Sequence, residues 1–124
     1  MLRDSNLIRT ILLAIEAADD AELLTMPRIP GHDRAEVHFH VRLLVEAGLA
    51  HAVAETRYRG RDWLALRLSW QGYDYLDSIR DPAVWRLVQR VAKRTGSWSI
   101  ETLGAIAKAT VIAKAQSLGL PMSI

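Results

Sequence analysis

The sequence predicts a mainly helical fold with one small β-hairpin, and three patterns carry that reading. Apolar residues recur at helical spacing on either side of a central stretch, as they do on a helix with one buried face. After Gly48 the apolar period drops to that of a half-buried strand. Aspartate or serine stands before the helical stretches and glycine after three of them, the residues that cap helices at their two ends.

Asp4 caps a first helix of about residues 5–18, with Leu7, Ile8, Ile11, Leu12 and Ile15 on one stripe. The acidic run Asp19-Asp20-Ala21-Glu22 ends it. Leu23-Leu24-Thr25-Met26 is short enough for an edge strand, and Pro27, Pro30 and Gly31 then forbid regular structure. Asp33-Arg34-Ala35-Glu36 is a capping box that opens a second helix. Its core stripe is Val37, Val41, Leu44 and Val45, and Phe39 and Leu43 carry apolar character past half its girth. The polar remainder is a narrow strip of His38, Arg42 and Glu46, with Ala35 beside it. Gly48 takes the left-handed position that closes the helix, followed by apolar Leu49.

Residues 49–57 and 63–70 read as the two strands of a hairpin. Leu64, Leu66, Leu68 and Trp70 alternate with Ala65, Arg67 and Ser69, and the polar stretch Tyr58-Arg59-Gly60-Arg61-Asp62 connects the strands. Ser69 caps a short helix through about Arg80. Asp81-Pro82 opens a fourth helix of about 82–95 that closes on Gly96, and a last one runs from about Ser99 to Leu118. No repeat, linker or low-complexity segment intervenes. The expectation is one domain, a core over 1–80 with a helical extension over 81–124 packed on it.

Composition narrows the function. At 124 residues, half hydrophobic and a quarter charged, the chain has the make-up of a globular domain with one real core. It has no cysteine, which excludes disulfides and thiolate metal sites. The N-terminal stretch lacks the apolar core of a secretory signal, and no apolar run approaches the ~20 residues of a membrane span. A cytoplasmic protein without a membrane partner is expected. The net charge of +2 says little, but its distribution says more. Residues 1–62 hold 8 basic and 10 acidic side chains, whereas residues 63–124 hold 8 and 4, and 13 of the 16 basic residues are arginine. Arginine forks suit phosphate and carboxylate, although an arginine-rich genome produces the same bias.

Helix, short strand, helix ending in Glu46-Ala47-Gly48-Leu49, hairpin, helix is the order of a winged helix-turn-helix. Leu43-Leu44-Val45-Glu46-Ala47-Gly48-Leu49 resembles the end of the recognition helix and the first wing strand in many bacterial winged-helix regulators. Leu68-Ser69-Trp70-Gln71-Gly72-Tyr73-Asp74-Tyr75-Leu76 resembles the step from their second wing strand into the next helix. Together with Arg3-Asp4-Ser5-Asn6-Leu7-Ile8-Arg9 and with His40, the chain resembles a family of short proteins of bacteria, phages and prophages that is catalogued as a domain of unknown function. The likeness runs from Arg3 to about Trp85. It implies a winged-helix-like fold and no established activity.

Residue chemistry argues against catalysis and cofactors. His38 and His40 are an i, i+2 pair, about 200° apart on a helix, and cannot close on one metal ion. His40 reads instead as a buried histidine bonded to a neighbour. The serines and threonines form no nucleophile elbow, no glycine-rich phosphate loop exists, and Asp74 with Asp77 reads as a solvated edge. We expect no enzyme, no cofactor and no metal. Trp63, Trp70, Trp85 and Trp98 read as core, with Trp70 on the apolar face of its strand and Trp85 in register with Val84, Val88, Val91 and Ala92.

Two surfaces remain as candidates for double-stranded DNA. On the first, Ala35, His38, Arg42 and Glu46 face a groove while Arg57, Tyr58, Arg59 and Arg61 at the hairpin tip meet phosphates. Glu55 and Asp62 offer the plainer alternative of ion pairs within a solvated turn. The second is the basic stripe Arg86, Arg90, Lys93 and Arg94, which a solvated face or the rim of a protein interface explains equally well. A homodimer is expected through Ile100, Leu103, Ile106, Ala107, Val111 and Leu118, although that helix can also fold back on its own core. The rival class is a protein–protein adaptor, an anti-repressor or host-factor modulator, that keeps the winged-helix shell without binding DNA. The abbreviated, proline-rich link before the second helix and the acidic residue in its polar strip favour that rival.

Overall fold

Five helices and one two-stranded antiparallel sheet make up the computed structural model, which describes residues 1–18, 26–57 and 60–120. The order is α1 (Ser5–Ala17), α2 (Arg34–Glu46), β1 (Ala50–Arg57), β2 (Gly60–Leu68), α3 (Trp70–Ile79), α4 (Pro82–Thr95) and α5 (Ile100–Ser117). The chain divides into two compact units, Met1–Leu76 and Asp77–Ile124. Among the described residues no helix is long and apolar enough to cross a membrane.

In the first unit α1 packs on α2 and β2. The Asp4 side chain accepts hydrogen bonds from the backbone N–H groups of Asn6 and Leu7, so two of the helix's orphan donors are satisfied. Leu7, Ile8, Ile11, Leu12 and Ile15 are all buried, as their spacing predicts. Truncating a fully enclosed one such as Ile11 to alanine costs about 2–5 kcal/mol. The expected strand at 23–26 falls largely outside the described residues. Met26, which is described, belongs to no strand and is buried in an irregular segment with Ile29.

Asp33 caps α2 through the N–H of Glu36 at 2.8 Å. The Glu36 carboxylate pairs with His32 Nδ1 one turn back. At the other end Gly48 has φ +76°. Its N–H donates to Val45 and that of Leu49 to Leu44, the double closure that the glycine predicted.

The hairpin departs from strict alternation. Its register pairs Ala50 with Leu68 and His51 with Arg67, then Val53 with Leu64 and Ala54 with Trp63, so β2 carries one extra residue. Ala65 absorbs it with φ +52°, a left-handed conformation that is unusual for a residue with a Cβ. The bulge shifts the parity of β2, so Trp63 shares the face of buried Leu66 and Leu68. β2 also starts at Gly60, earlier than the expected 63, so Arg61 and Asp62 are strand residues. Trp70, expected on the core side of this strand, instead opens α3 and is 80% exposed. The strand ends two residues before it.

In the second unit Asp81 caps α4 through the N–H groups of Ala83 and Val84, with Pro82 at the first helical position and left-handed Gly96 at the end. Those two hydrogen bonds lower the Asp81 pKa, with lesser help from Lys114 and Arg86. Trp85, Val88 and Ala92 form the buried side of α4, which packs on α5. Ser99 caps α5 through the N–H of Thr102, and Gly119 in the left-handed region follows its end.

Candidate nucleic-acid interface

The candidate site is built on α2 and on the two devices that hold it. The first ties α2 to α1. His40 is fully buried, with its Nε2 accepting from the backbone N–H of Asp4 at 2.8 Å and its Nδ1 donating to the Glu36 carbonyl at 2.8 Å. Those two bonds fix a neutral ring with the proton on Nδ1. The expectation of a buried histidine bonded to a neighbour is met. The neighbour is the residue that caps α1.

The second device ties α2 to α3 across the base of the hairpin. Ser69 Oγ donates to the Gly48 carbonyl at 2.5 Å and accepts from the N–H of Gly72 at 3.0 Å, while the Ser69 N–H donates to the Leu49 carbonyl. A Cβ on Gly72 would sit 1.9 Å from the Leu49 carbonyl oxygen, so only glycine lets the two backbones approach. The stretches 43–49 and 68–76 thus bond to each other directly.

With α2 held in this way, the structure separates the residues of the predicted strip. Ala35, Arg42 and Glu46 are exposed. The Arg42 guanidinium lies over the Phe39 ring at 5.5 Å, a cation–π contact that restricts an otherwise long, free side chain. His38 is placed differently from these three. It is half-buried and stacked on Trp63 of β2, ring centroids 5.3 Å apart, and its carbonyl accepts from the Trp63 indole N–H at 3.4 Å. His38 therefore serves the junction between helix and hairpin. Trp63 is buried, as its reading as core expects, but its stacking on His38 does not follow from strand alternation, because the bulge at Ala65 reverses the strand's parity.

At the hairpin tip Tyr58 and Arg59 lie outside the described residues. Arg57 pairs with Gly60 and Arg61 with Thr56 along the ladder, and Glu55 is the ladder partner of Asp62. On α4, Arg86, Arg90, Lys93 and Arg94 are all exposed, on a helix without an acidic residue. The α5 stripe divides by burial. Leu103 and Ala107 are buried within the chain and unavailable to a second copy, whereas Ile100 and Ile106 are half-buried and Val111 and Leu118 exposed.

Tyr75, on the inner side of α3, is buried and its pKa is pushed up to about 12, chiefly by loss of water and slightly offset by Arg3. Among the described residues no group of three or more potential metal-ligating side chains gathers.

The model of a family described as "Hypothetical protein (DUF2513)" matches residues 2–98. An "Uncharacterized protein" of Haemophilus influenzae (strain ATCC 51907 / DSM 11121 / KW20 / Rd) is 35% identical over 94 residues, which span 75% of this chain and 80% of the relative. No solved structure matches.

Proposed function

The chain belongs to the DUF2513 family, and from that premise we propose that it is a winged-helix, regulator-like accessory protein of bacterial or phage origin that binds double-stranded DNA. One observation carries this reading. α2 presents Ala35, Arg42 and Glu46 to solvent, and its C-terminus is bonded directly into the base of a two-stranded hairpin and the helix after it. A helix entering a major groove needs such a fixed exposed edge, and an arginine on it can grip a guanine through two hydrogen bonds. The test is salt-dependent retention of the protein on duplex DNA. Binding at ~50 mM salt that weakens steeply as salt rises supports the reading, and absence of duplex affinity at that salt contradicts it.

In this reading the chain pairs with a second copy through exposed Val111 of α5 and Leu118 just past its end. Light scattering that reports the 13.9 kDa monomer at high micromolar concentration contradicts the pairing.

A second reading, a protein–protein adaptor on the same shell, is favoured by one feature. Trp70 is 80% exposed and Tyr73, one turn along α3, is 45% exposed. Both follow directly on the Ser69 junction, so they are rigidly presented, and exposed aromatics are the side chains that anchor protein interfaces. A protein partner that wild type captures and Trp70→Ala loses, with no duplex affinity in either, marks the adaptor.

A further inference from the structure

The second unit carries an excess of positive charge. Between Asp77 and Ile124 there are seven lysines and arginines against Asp77, Asp81 and Glu101. Asp77 is bound by Arg80 at 2.7 Å, and Asp81 is spent on the cap of α4. Arg86, Arg90, Lys93 and Arg94 stand on α4 at i, i+4, i+7 and i+8, which places them in one stripe about 12 Å long. All four are exposed. Among the described residues no ion-pair partner is found for Arg90, Lys93 or Arg94.

Like charges at this spacing disfavour a helix. The helix dipole accounts for Lys93 and Arg94 in the last turn, and Asp81 lies near Arg86, but neither explains Arg90 in the middle. The opposite side of α4, with Trp85, Val88 and Ala92, is buried. Among the large apolar residues of α4 Leu87 is the one exposed, at 36%, and a single side chain does not make the apolar face that membrane-lying basic helices sink into a lipid surface. Three of the four cations are arginines, whose planar forks match phosphate oxygens in pairs. A run of cations four residues apart along a straight helix is complementary to a rigid line of phosphates.

We propose that the exposed face of α4 is a separate phosphate-backbone site for duplex nucleic acid, supplying sequence-independent affinity through Arg86, Arg90, Lys93 and Arg94. Its ligand class rests on the duplex-binding reading above, but its residues are different and so is its signature.

The experiment is a fluorescence-anisotropy titration of the full chain against two ~20-base-pair duplexes of unrelated sequence, repeated across a salt series. The variant is Arg86→Gln/Arg90→Gln/Lys93→Gln/Arg94→Gln. Glutamine keeps helix propensity, and a thermal melt followed by circular dichroism verifies that the variant is folded. The expected result is weaker binding to both duplexes alike, with the slope of log affinity against log salt shallower by about 3–4 units, near 0.9 for each lost phosphate contact. A folded variant that keeps the wild-type slope overturns the site and leaves the α2 reading standing. Loss of slope in this variant, with no sequence preference in wild type, upholds the α4 site and removes the α2 reading. Binding of wild type to vesicles of anionic phosphatidylserine but not to duplex overturns both.

Discussion

α2 and α4 are nearly the same length, 13 and 14 residues, and obey the same local grammar of an aspartate cap and a left-handed glycine stop. Their surroundings make them different objects. α2 packs against α1 and both strands, buries a histidine, and spends His38 on the hairpin, so only a narrow edge with Arg42 is left outside. α4 has one buried side, and its other side is cationic without a compensating acid. A helix enclosed by several elements is held rigidly and can discriminate with few residues. A helix with a whole face free can contribute charge but little selection. In the proposed function, specificity therefore belongs to α2 and general affinity to α4.

The largest effects should come from the junction that fixes α2. Gly72→Ala would place a methyl carbon against the Leu49 carbonyl, a backbone atom that cannot swing aside. The cost should be about 3 kcal/mol or more in urea or thermal unfolding, whereas an alanine on exposed α4, such as Arg90→Ala, should stay within about 0.5 kcal/mol. Equal, small effects at both places would break the contrast between the helices. His40→Leu comes next. It removes the acceptor of the Asp4 N–H in a buried place and should cost about 1–3 kcal/mol. Nitrogen chemical shifts of wild-type His40 should report the proton on Nδ1, and the other tautomer would contradict the link to α1.

Much of this architecture is legible in the chain itself. The caps at Asp4, Asp33, Asp81 and Ser99 and the stops at Gly48 and Gly96 are local chemistry, and each stands where the residues put it. The buried stripes of α1 and α4 follow from helical spacing. The bulge at Ala65 was not legible, because an alanine gives no local signal for a positive φ. That one inserted residue places Trp63 on the face of Leu66 and Leu68, so its stacking on His38 does not follow from strand alternation. Trp70 leaves the strand pattern for a related reason. Strand alternation stops before Ser69, which is already bonded into α3. Of the candidate site, Arg42 and Glu46 follow from helix geometry, while the loss of His38 to the hairpin depends on a contact 25 residues away in sequence.

Two smaller tests sharpen the picture of the first unit. The Tyr75 hydroxyl has its folded pKa raised to about 12 from an ordinary 10. Its contribution to stability is therefore complete below pH 10 and is lost as the pH rises from 10 to 12. Comparing unfolding of wild type and Tyr75→Phe across that window should show a decline that the variant lacks, and parallel curves would contradict the burial argument. Ala65→Gly is the mildest. Relief of the left-handed strain is offset by the greater freedom of glycine when unfolded, so the change should be stabilising by less than about 1 kcal/mol. A marked loss of stability would mean that the bulge is misplaced.

The central claim is that the exposed edge of α2 selects a DNA sequence, and selection from a pool of random duplexes tests it most directly. Wild type should enrich a defined site, and Arg42→Ala should bind that site about 1–3 kcal/mol more weakly while keeping its affinity for unrelated duplexes. Enrichment of the same site to the same degree by both proteins, or of no site by wild type, would contradict it.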